Sequence, residues 1–187
     1  GVLPLGAGAQ HPGPLALVEL QNGAEVAAMI SGLPEQHYLL SNSGGYGFIA
    51  KLADMVGRVK AGKVMISLEA GEKVLPPQAV FTVSLINPDC KVVLASSANR
   101  LLAFALGELK VMAKGRGLQL MNLGEDEKLA HIAVVSTPEF MVESVGKRGA
   151  ARCERLRIQD IENKRGRKGR LLEISGRLKA LGGTDAE

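Results

Sequence analysis

The segment from Tyr38 to Pro77 reads YLLSNSGGYGFIAKLADMVGRVKAGKVMISLEAGEKVLPP, and Lys91 to Val135 reads KVVLASSANRLLAFALGELKVMAKGRGLQLMNLGEDEKLAHIAVV. Both open on a short apolar strand, turn through small polar residues and continue in a second apolar strand. Each then has an acid followed by an apolar residue, a basic loop with glycine, and a third strand ending in leucine. A fourth strand follows an acidic turn. The two stretches therefore predict one supersecondary unit used twice.

A third, more diverged copy follows, and part of a copy precedes them. Phe140-Met141-Val142 opens the third copy, Asp160-Ile161 is its acid–apolar pair, and Lys164 to Arg170 is its basic loop, before a third strand at Leu171–Ile174. Upstream, Leu15 to Leu20 matches the strand that ends at Leu68. Repeats of about 50 residues with four short strands each predict an all-β, propeller-like fold, with about three and a half four-stranded blades in this chain. A β-sandwich whose strands merely look alike is the alternative.

The repeat divides the chain into five predicted parts. These are the second half of a preceding blade (1–36), two blades (37–88 and 89–138), a diverged basic blade (139–181) and a tail (182–187).

The formal net charge of +4 hides an uneven distribution. Residues 146–179 carry twelve basic and four acidic side chains, whereas the rest of the chain is net acidic. A basic block on a mildly acidic body is typical of a protein that binds a polyanion. A solvated basic face near the end of the sequence is the alternative.

The basic loops predict contacts with DNA phosphates. Lys and Arg neutralise phosphates and release counterions, and neighbouring glycines let the backbone come close. Aromatic residues make up only 3% of the chain, which argues against a single-strand binder. The sequence has neither a pattern for a helix that reads a DNA groove nor a zinc-ligand pattern. We therefore expect no contacts that distinguish one base from another. The candidate DNA-binding residues are Arg58, Lys60, Lys63, Lys110, Lys114, Arg116, Lys147, Arg148, Lys164, Arg165, Arg167, Lys168 and Arg170.

We expect no catalytic residue, metal site or cofactor in this chain. The three histidines lack metal-ligand spacing with Cys90 or Cys153, and Glu125-Asp126-Glu127 is typical of a solvated hairpin tip. Two cysteines are too few for a disulfide framework, which favours a reducing compartment. Tyr38, Tyr46, Phe48 and Phe104 are predicted packing residues. Apolar runs of about five residues are too short to span a membrane.

Several motifs resemble the C-terminal domain of the A subunit of bacterial DNA topoisomerase IV, which is paralogous to that of gyrase. They are Ser43 to Phe48, Val59 to Lys63 and Lys73 to Pro77, with similar runs at Lys114–Gly117 and Val145–Arg148. The resemblance implies a β-pinwheel, in which neighbouring blades exchange strands. It also implies a DNA-holding module of an ATP-dependent type II topoisomerase that helps topology selection in decatenation and supercoil relaxation, with the nucleophilic tyrosine in a separate core.

The same resemblance implies partners and a location. The partners are double-stranded DNA, the rest of the A subunit, the ATP-hydrolysing B subunit and a chromosome-organising protein. The location is the bacterial cytoplasm at the chromosome.

Two other functions stay open. The gyrase domain wraps DNA through a box of the Arg-Gly-Gly-Lys-Gly type. The nearest run here, Lys164 to Gly169, lacks the initial Gln and has Arg167 where a second Gly would stand, which favours topoisomerase IV. A propeller-like protein-interaction scaffold, with a contact near Glu125-Asp126-Glu127, is the alternative of another class.

Overall fold

The computed structural model describes residues 2–3, 15–19, 25–31, 37–51 and 61–183. In chain order the strands in these ranges are β1 (Val2–Leu3), β2 (Leu15–Glu19), β3 (Glu25–Ser31), β4 (His37–Ser41), β5 (Tyr46–Lys51), β6 (Ala61–Ser67), β7 (Gln78–Val80), β8 (Lys91–Ser96), β9 (Arg100–Ala105), β10 (Lys114–Gly115), β11 (Leu118–Gln119), β12 (Leu129–Val135), β13 (Glu139–Val145), β14 (Ala151–Arg157), β15 (Arg170–Leu171) and β16 (Arg177–Gly183). The helical elements of these ranges are α1 (Thr82–Leu85) and the 3-10 turns η1 (Leu106–Glu108) and η2 (Ile158–Asp160). None of the helices described is long and apolar enough to cross a membrane.

The strands form four sheets. Sheet 1 has the order β1-β2-β3-β6-β10, sheet 2 β11-β5-β4-β7, sheet 3 β12-β8-β9-β15 and sheet 4 β14-β13-β16. Most neighbouring strands pair antiparallel, and β10 pairs parallel with β6. Four sheets of short strands are typical of a fold built from blades.

Each of the first three sheets includes a strand from the following repeat, and sheet 1 also includes β10 from the repeat after that. β6 joins β1–β3, β11 joins β4, β5 and β7, and β15 joins β8, β9 and β12. The crossing chain is held by backbone hydrogen bonds, since Ile49 N donates to Lys110 O at 2.9 Å and Ala103 N to Ile161 O at 3.0 Å. The predicted all-β pinwheel class is confirmed, including the exchange of strands between neighbours.

The central strands are buried on both faces. β8 reads KVVLAS and β9 reads RLLAFA, and every residue between their ends is buried. Continuous branched and aliphatic runs, rather than strict alternation, are expected for strands covered on both faces. β14 reads ARCERLR and keeps five of its seven residues exposed, so the basic repeat uses a more solvated second strand.

The chain contains two compact units, each with its own core. One comprises Gly1–Val83 and Leu109–Leu118, and the other comprises Ser84–Glu108 and Gln119–Glu187. The first core contains Tyr38, Leu40, Phe48, Ala50 and Ile66. The second packs Phe140 against residues that include Leu101, Ile158 and Ile161. Tyr38, Phe48 and Phe104 are fully buried, as predicted for packing residues.

The third strand of each repeat differs from its predicted bounds. β6 ends at Ser67 rather than Leu68, and it includes Ala61–Lys63, which the sequence pattern assigns to a loop. All seven residues of β6 pair with β3, which extends the strand into the glycine-containing run.

In the later repeats the third strand is shorter than predicted. β11 ends at Gln119 instead of Leu123, and β15 covers Arg170–Leu171 instead of Leu171–Ile174. The chain leaves sheet 3 at Leu172, whose N–H donates to Asn99 O at 2.8 Å. At the end of the chain, β16 runs to Gly183, past the predicted start of the tail.

Candidate nucleic-acid interface

The basic loop of the third repeat has a fixed backbone. Arg165 N donates to a Glu108 carboxylate oxygen at 3.1 Å, and Gly166 N donates to Leu120 O at 2.8 Å. Asn122 N donates to Arg167 O at 3.0 Å. These bonds anchor the loop to the last residue of η1 and to the chain that follows it, so its side chains project from a fixed backbone.

The five cations of this loop fall into two groups. Arg165 Nη1 donates to Gln119 O at 2.7 Å and Arg170 Nη1 donates to Asp160 O at 3.1 Å, so both guanidinium groups turn back onto the protein. Lys164, Arg167 and Lys168 are exposed, and within the described ranges their side chains have no hydrogen-bond or ion-pair partner. These three charges are available to an anion.

A cleft of about 540 Å³ lies beside this loop. Asn122, Asn163, Arg167, Lys168 and Arg170 contribute to its lining, together with the acids Asp160 and Glu162. The mixed charge makes the cleft polar rather than strongly cationic, so the exposed outer side of the loop is the more favourable surface for phosphates.

The basic loop of the second repeat is held differently. Lys110 and Lys114 are exposed, but Arg116 forms ion pairs with Glu72 and, at 3.4 Å, with Glu69. Its guanidinium carbon lies 3.7 Å from the centre of the Tyr46 ring, a cation–π contact. Burial alone lowers the pKa of Arg116, but the hydrogen bond and charge of Glu72, with smaller contributions from Glu69 and Tyr46, raise it above the usual value.

Gly117 and Gly169 occupy equivalent places in these two loops and serve packing. Gly117 has φ +85° and a Cβ there would collide with the Gly47 carbonyl, while Gly169 has φ +90° and a Cβ there would lie 2.8 Å from Leu101 O. Gly47 and Leu101 are each the second residue of their strands, β5 and β9. The close approach is to the neighbouring strand, which gives these glycines a structural reason beside the phosphate role predicted for them.

The remaining candidates lie elsewhere. Lys147 and Arg148 are exposed in the turn between β13 and β14, and Lys63 lies in β6 opposite Met29. Arg58 and Lys60 lie outside the described residues. The structure therefore describes only some of the predicted DNA-binding residues. That the basic loops lie together on one edge of the domain stays a prediction.

Three further cations are exposed on the strands of sheet 4. Arg152 lies on β14, and Arg177 and Lys179 lie on β16, without a side-chain partner in the described part of the chain. Arg155 and Arg157, by contrast, pair with Glu139 and Asp160. The alternation of polar and apolar residues along β14 and β16 indicates such exposed positions. The sequence prediction names cations of the loops and does not include these three.

The acidic turn Glu125-Asp126-Glu127 is partly structural. The Glu127 side chain is 7% exposed, hydrogen-bonds to the Ser96 hydroxyl, accepts from Gly124 N at 2.7 Å and lies 4.0 Å from Arg100 Nε. Glu125 and Asp126 are exposed. Among the described residues no group of three His, Cys, Asp or Glu side chains could hold a metal ion.

The sequence of the chain is similar to known proteins over most of its length. A family model described as the DNA gyrase C-terminal domain, β-propeller, matches residues 91–136. The DNA topoisomerase 4 A subunit of Neisseria gonorrhoeae is 64% identical over 166 residues, which is 89% of this chain and 22% of that protein. Its Haemophilus influenzae counterpart is 32% identical over 83% of this chain and 21% of that protein. The chain thus spans about a fifth of the length of these relatives.

Solved structures agree in fold. The Escherichia coli ParC C-terminal domain superposes with a TM-score of 0.67 at 27% identity, over 88% of this chain and 66% of that domain. A gyrase A C-terminal domain gives 0.62 at 20% identity, over 82% of this chain and 50% of the other, and shows the shared fold alone.

Proposed function

The chain belongs to the family of C-terminal domains of the bacterial DNA topoisomerase IV A subunit, where they form a non-catalytic part, and we propose that it holds duplex DNA for the enzyme. The DNA is held by its phosphates, so binding is largely independent of sequence and weakens with salt. No cofactor is needed for this role.

One observation carries the proposal. Lys164, Arg167 and Lys168 stand exposed and unpaired, within the part of the chain that the structure describes, on a loop whose backbone is hydrogen-bonded to Glu108 at the end of η1 and to the residues after it. Cations fixed in position lose less conformational entropy on meeting a phosphate than cations on a mobile tail. Lys147 and Arg148, at the β13–β14 turn, add charge from the same repeat.

In the whole enzyme the held DNA would bias which crossings the enzyme acts on in decatenation and supercoil relaxation. The proposed partners are the rest of the A subunit, the ATP-hydrolysing B subunit and a chromosome-organising protein, in the bacterial cytoplasm at the chromosome.

The two alternatives are weaker. A wrapping role of the gyrase type needs a box that Lys164–Gly169 does not reproduce. A protein scaffold that docks on the acidic turn retains only Glu125 and Asp126, because Glu127 bonds within the fold.

The test is duplex-DNA binding by fluorescence anisotropy across a salt series. We compare the 187-residue chain with the triple variant Lys164→Ala/Arg167→Ala/Lys168→Ala. The expected result is weaker binding and a slope of log K against log salt that is shallower by up to about 2.7, at roughly 0.9 for each phosphate that is no longer neutralised.

The matched control is Arg152→Ala/Arg177→Ala/Lys179→Ala, which removes the same charge from exposed, unpaired positions on the described strands of sheet 4. The control should keep most of the slope if the loop is the contact. Equal losses in both variants would reduce the interaction to general charge, and a chain that ignores DNA at low salt would overturn the proposal.

A further inference from the structure

We infer that Arg116 and Lys168, which occupy the same position in successive repeats, have opposite roles: Arg116 locks the exchanged strand to its neighbour, and Lys168 is left free to contact DNA. This inference rests on the proposed function and assigns its charges within it. The switch between the two roles lies in the preceding hairpin, not in the loops themselves.

The equivalence of the positions follows from hydrogen bonds that recur in both repeats. Asn42 Oδ1 accepts from the N–H groups of Gly44 and Tyr46, as Ser96 Oγ accepts from those of Ala98 and Arg100. Each hairpin also places a serine hydroxyl 2.9 Å from a lysine N–H, Ser43 to Lys73 and Ser97 to Lys128.

The acidic turns match in the same way. Glu72 accepts from Glu69 N at 2.9 Å, and Glu127 accepts from Gly124 N at 2.7 Å. Glu72 and Glu127 are therefore equivalent carboxylates, each directly before one of the two lysines. Arg116 and Lys168 are equivalent because each precedes the glycine that meets the second residue of a neighbouring strand.

In the earlier repeat, the hairpin between β4 and β5 does not occupy the Glu72 carboxylate, which pairs with Arg116. Gly44 has no side chain, and a Cβ there would collide with the Glu72 carboxylate and come within 3.1 Å of Arg116 Nη2. Tyr46 supplies the ring under the guanidinium. The Arg116 side chain is 25% exposed and that of Glu72 only 12%, so the pair is largely withdrawn from solvent.

In the later repeat, the hairpin between β8 and β9 binds the equivalent carboxylate, that of Glu127. Ala98 stands in place of Gly44, and Arg100 stands in place of Tyr46. Glu127 bonds to the Ser96 hydroxyl and lies 4.0 Å from Arg100 Nε, both on the hairpin. Because Glu127 is already bound by the hairpin and Arg100 replaces the aromatic ring, Lys168 has no ion-pair partner in the residues described and stays exposed.

The test compares single variants in the 187-residue chain, each measured for thermal unfolding and for the salt slope of duplex binding. Arg116→Ala should lower Tm by at least about 2 °C and leave the slope unchanged. Lys168→Ala should leave Tm within about 1 °C and make the slope shallower by about 0.9, the value for one phosphate.

Glu72→Gln should release Arg116, lowering Tm while making the slope steeper by up to about 0.9. If Arg116→Ala does not fold, Arg116→Lys keeps the charge and should give an intermediate Tm. Lys179→Ala is the control for removal of one exposed charge.

The inference is overturned if Arg116→Ala flattens the slope as Lys168→Ala does while Tm stays constant, or if Lys168→Ala leaves the slope intact. Failure of the unmodified chain to bind DNA would overturn the proposed function and the role of Lys168. The Tm of the Arg116 variants would then still test whether Arg116 holds the exchanged strand to its neighbour, independently of DNA binding.

Discussion

At Gly117 and Gly169 a hydrogen atom stands where two segments of backbone meet. Both residues have φ near +90°, which disfavours any side chain, and both face a carbonyl of the neighbouring strand. Gly149 also has a positive φ, +86°, but nothing lies within 4 Å of the Cβ position. The three glycines therefore separate the cost of the backbone conformation from the cost of the close approach.

We expect Gly149→Ala to lower the free energy of unfolding by about 1–2 kcal/mol, the cost of a left-handed residue. Gly117→Ala and Gly169→Ala should each cost about 1–3 kcal/mol more, because the methyl group also displaces the adjoining strand. Urea unfolding of the three variants measures the difference. Equal losses at all three positions would show that the close approach is relieved at little cost.

At the scale of elements, the sequence predicts the strands better than their partners. The continuous apolar runs of β8 and β9 identify buried strands, and the recurring order of strand, acid–apolar pair and basic loop identifies the repeat. A period of two residues does not say which sheet a strand enters. The family resemblance, rather than the pattern, supplied the exchange of strands.

The site shows the same limit. The basic loops were identified from the sequence, but the state of each cation depends on distant groups. Arg116 pairs with a carboxylate 44 positions away, and Arg165 bonds to a carbonyl 46 positions away. Local charge patterns do not contain such pairings, so the free and the engaged cations could be separated only by the fold.

The acid–apolar pair of the third repeat fastens the crossing chain. Ile161 is 8% exposed within the second core, and its carbonyl accepts from Ala103 N. Ile161→Ala should lower the free energy of unfolding by about 2–4 kcal/mol, because it removes buried methyl groups at that point.

Leu171→Ala is the control for Ile161→Ala, since Leu171 lies on the exchanged strand but is 50% exposed. Its cost should stay below about 1 kcal/mol. Urea denaturation compares the two, and similar losses would mean that Ile161 does not anchor the exchange.

In the part of the molecule that the structure describes, the exposed positive charges lie on loops and strands rather than on one helix that could read bases. The longest α-helix among the described residues is the four-residue α1, and a helix that reads base edges spans several turns. The exposed cations therefore offer contacts to phosphates without contacts that distinguish bases.

Two duplexes of the same length and unrelated sequence should bind the chain with Kd values within about threefold at equal salt, because phosphate contacts dominate. Competition between labelled and unlabelled duplexes measures the ratio. A preference of more than about tenfold, or about 1.4 kcal/mol, would instead require direct or shape-based readout.

Because strands are exchanged between repeats, a sheet can be completed only after a later part of the chain has been synthesised. Sheet 3 waits for β15, which is made about 65 residues after the end of β9. At about 5–20 residues per second, that edge stays open for roughly 3–13 seconds. During that interval the nascent chain carries an unfinished sheet, and an edge that waits for its strand is open to pairing with another polypeptide. Slower translation lengthens the interval in which the open edge of β9 can pair with another strand.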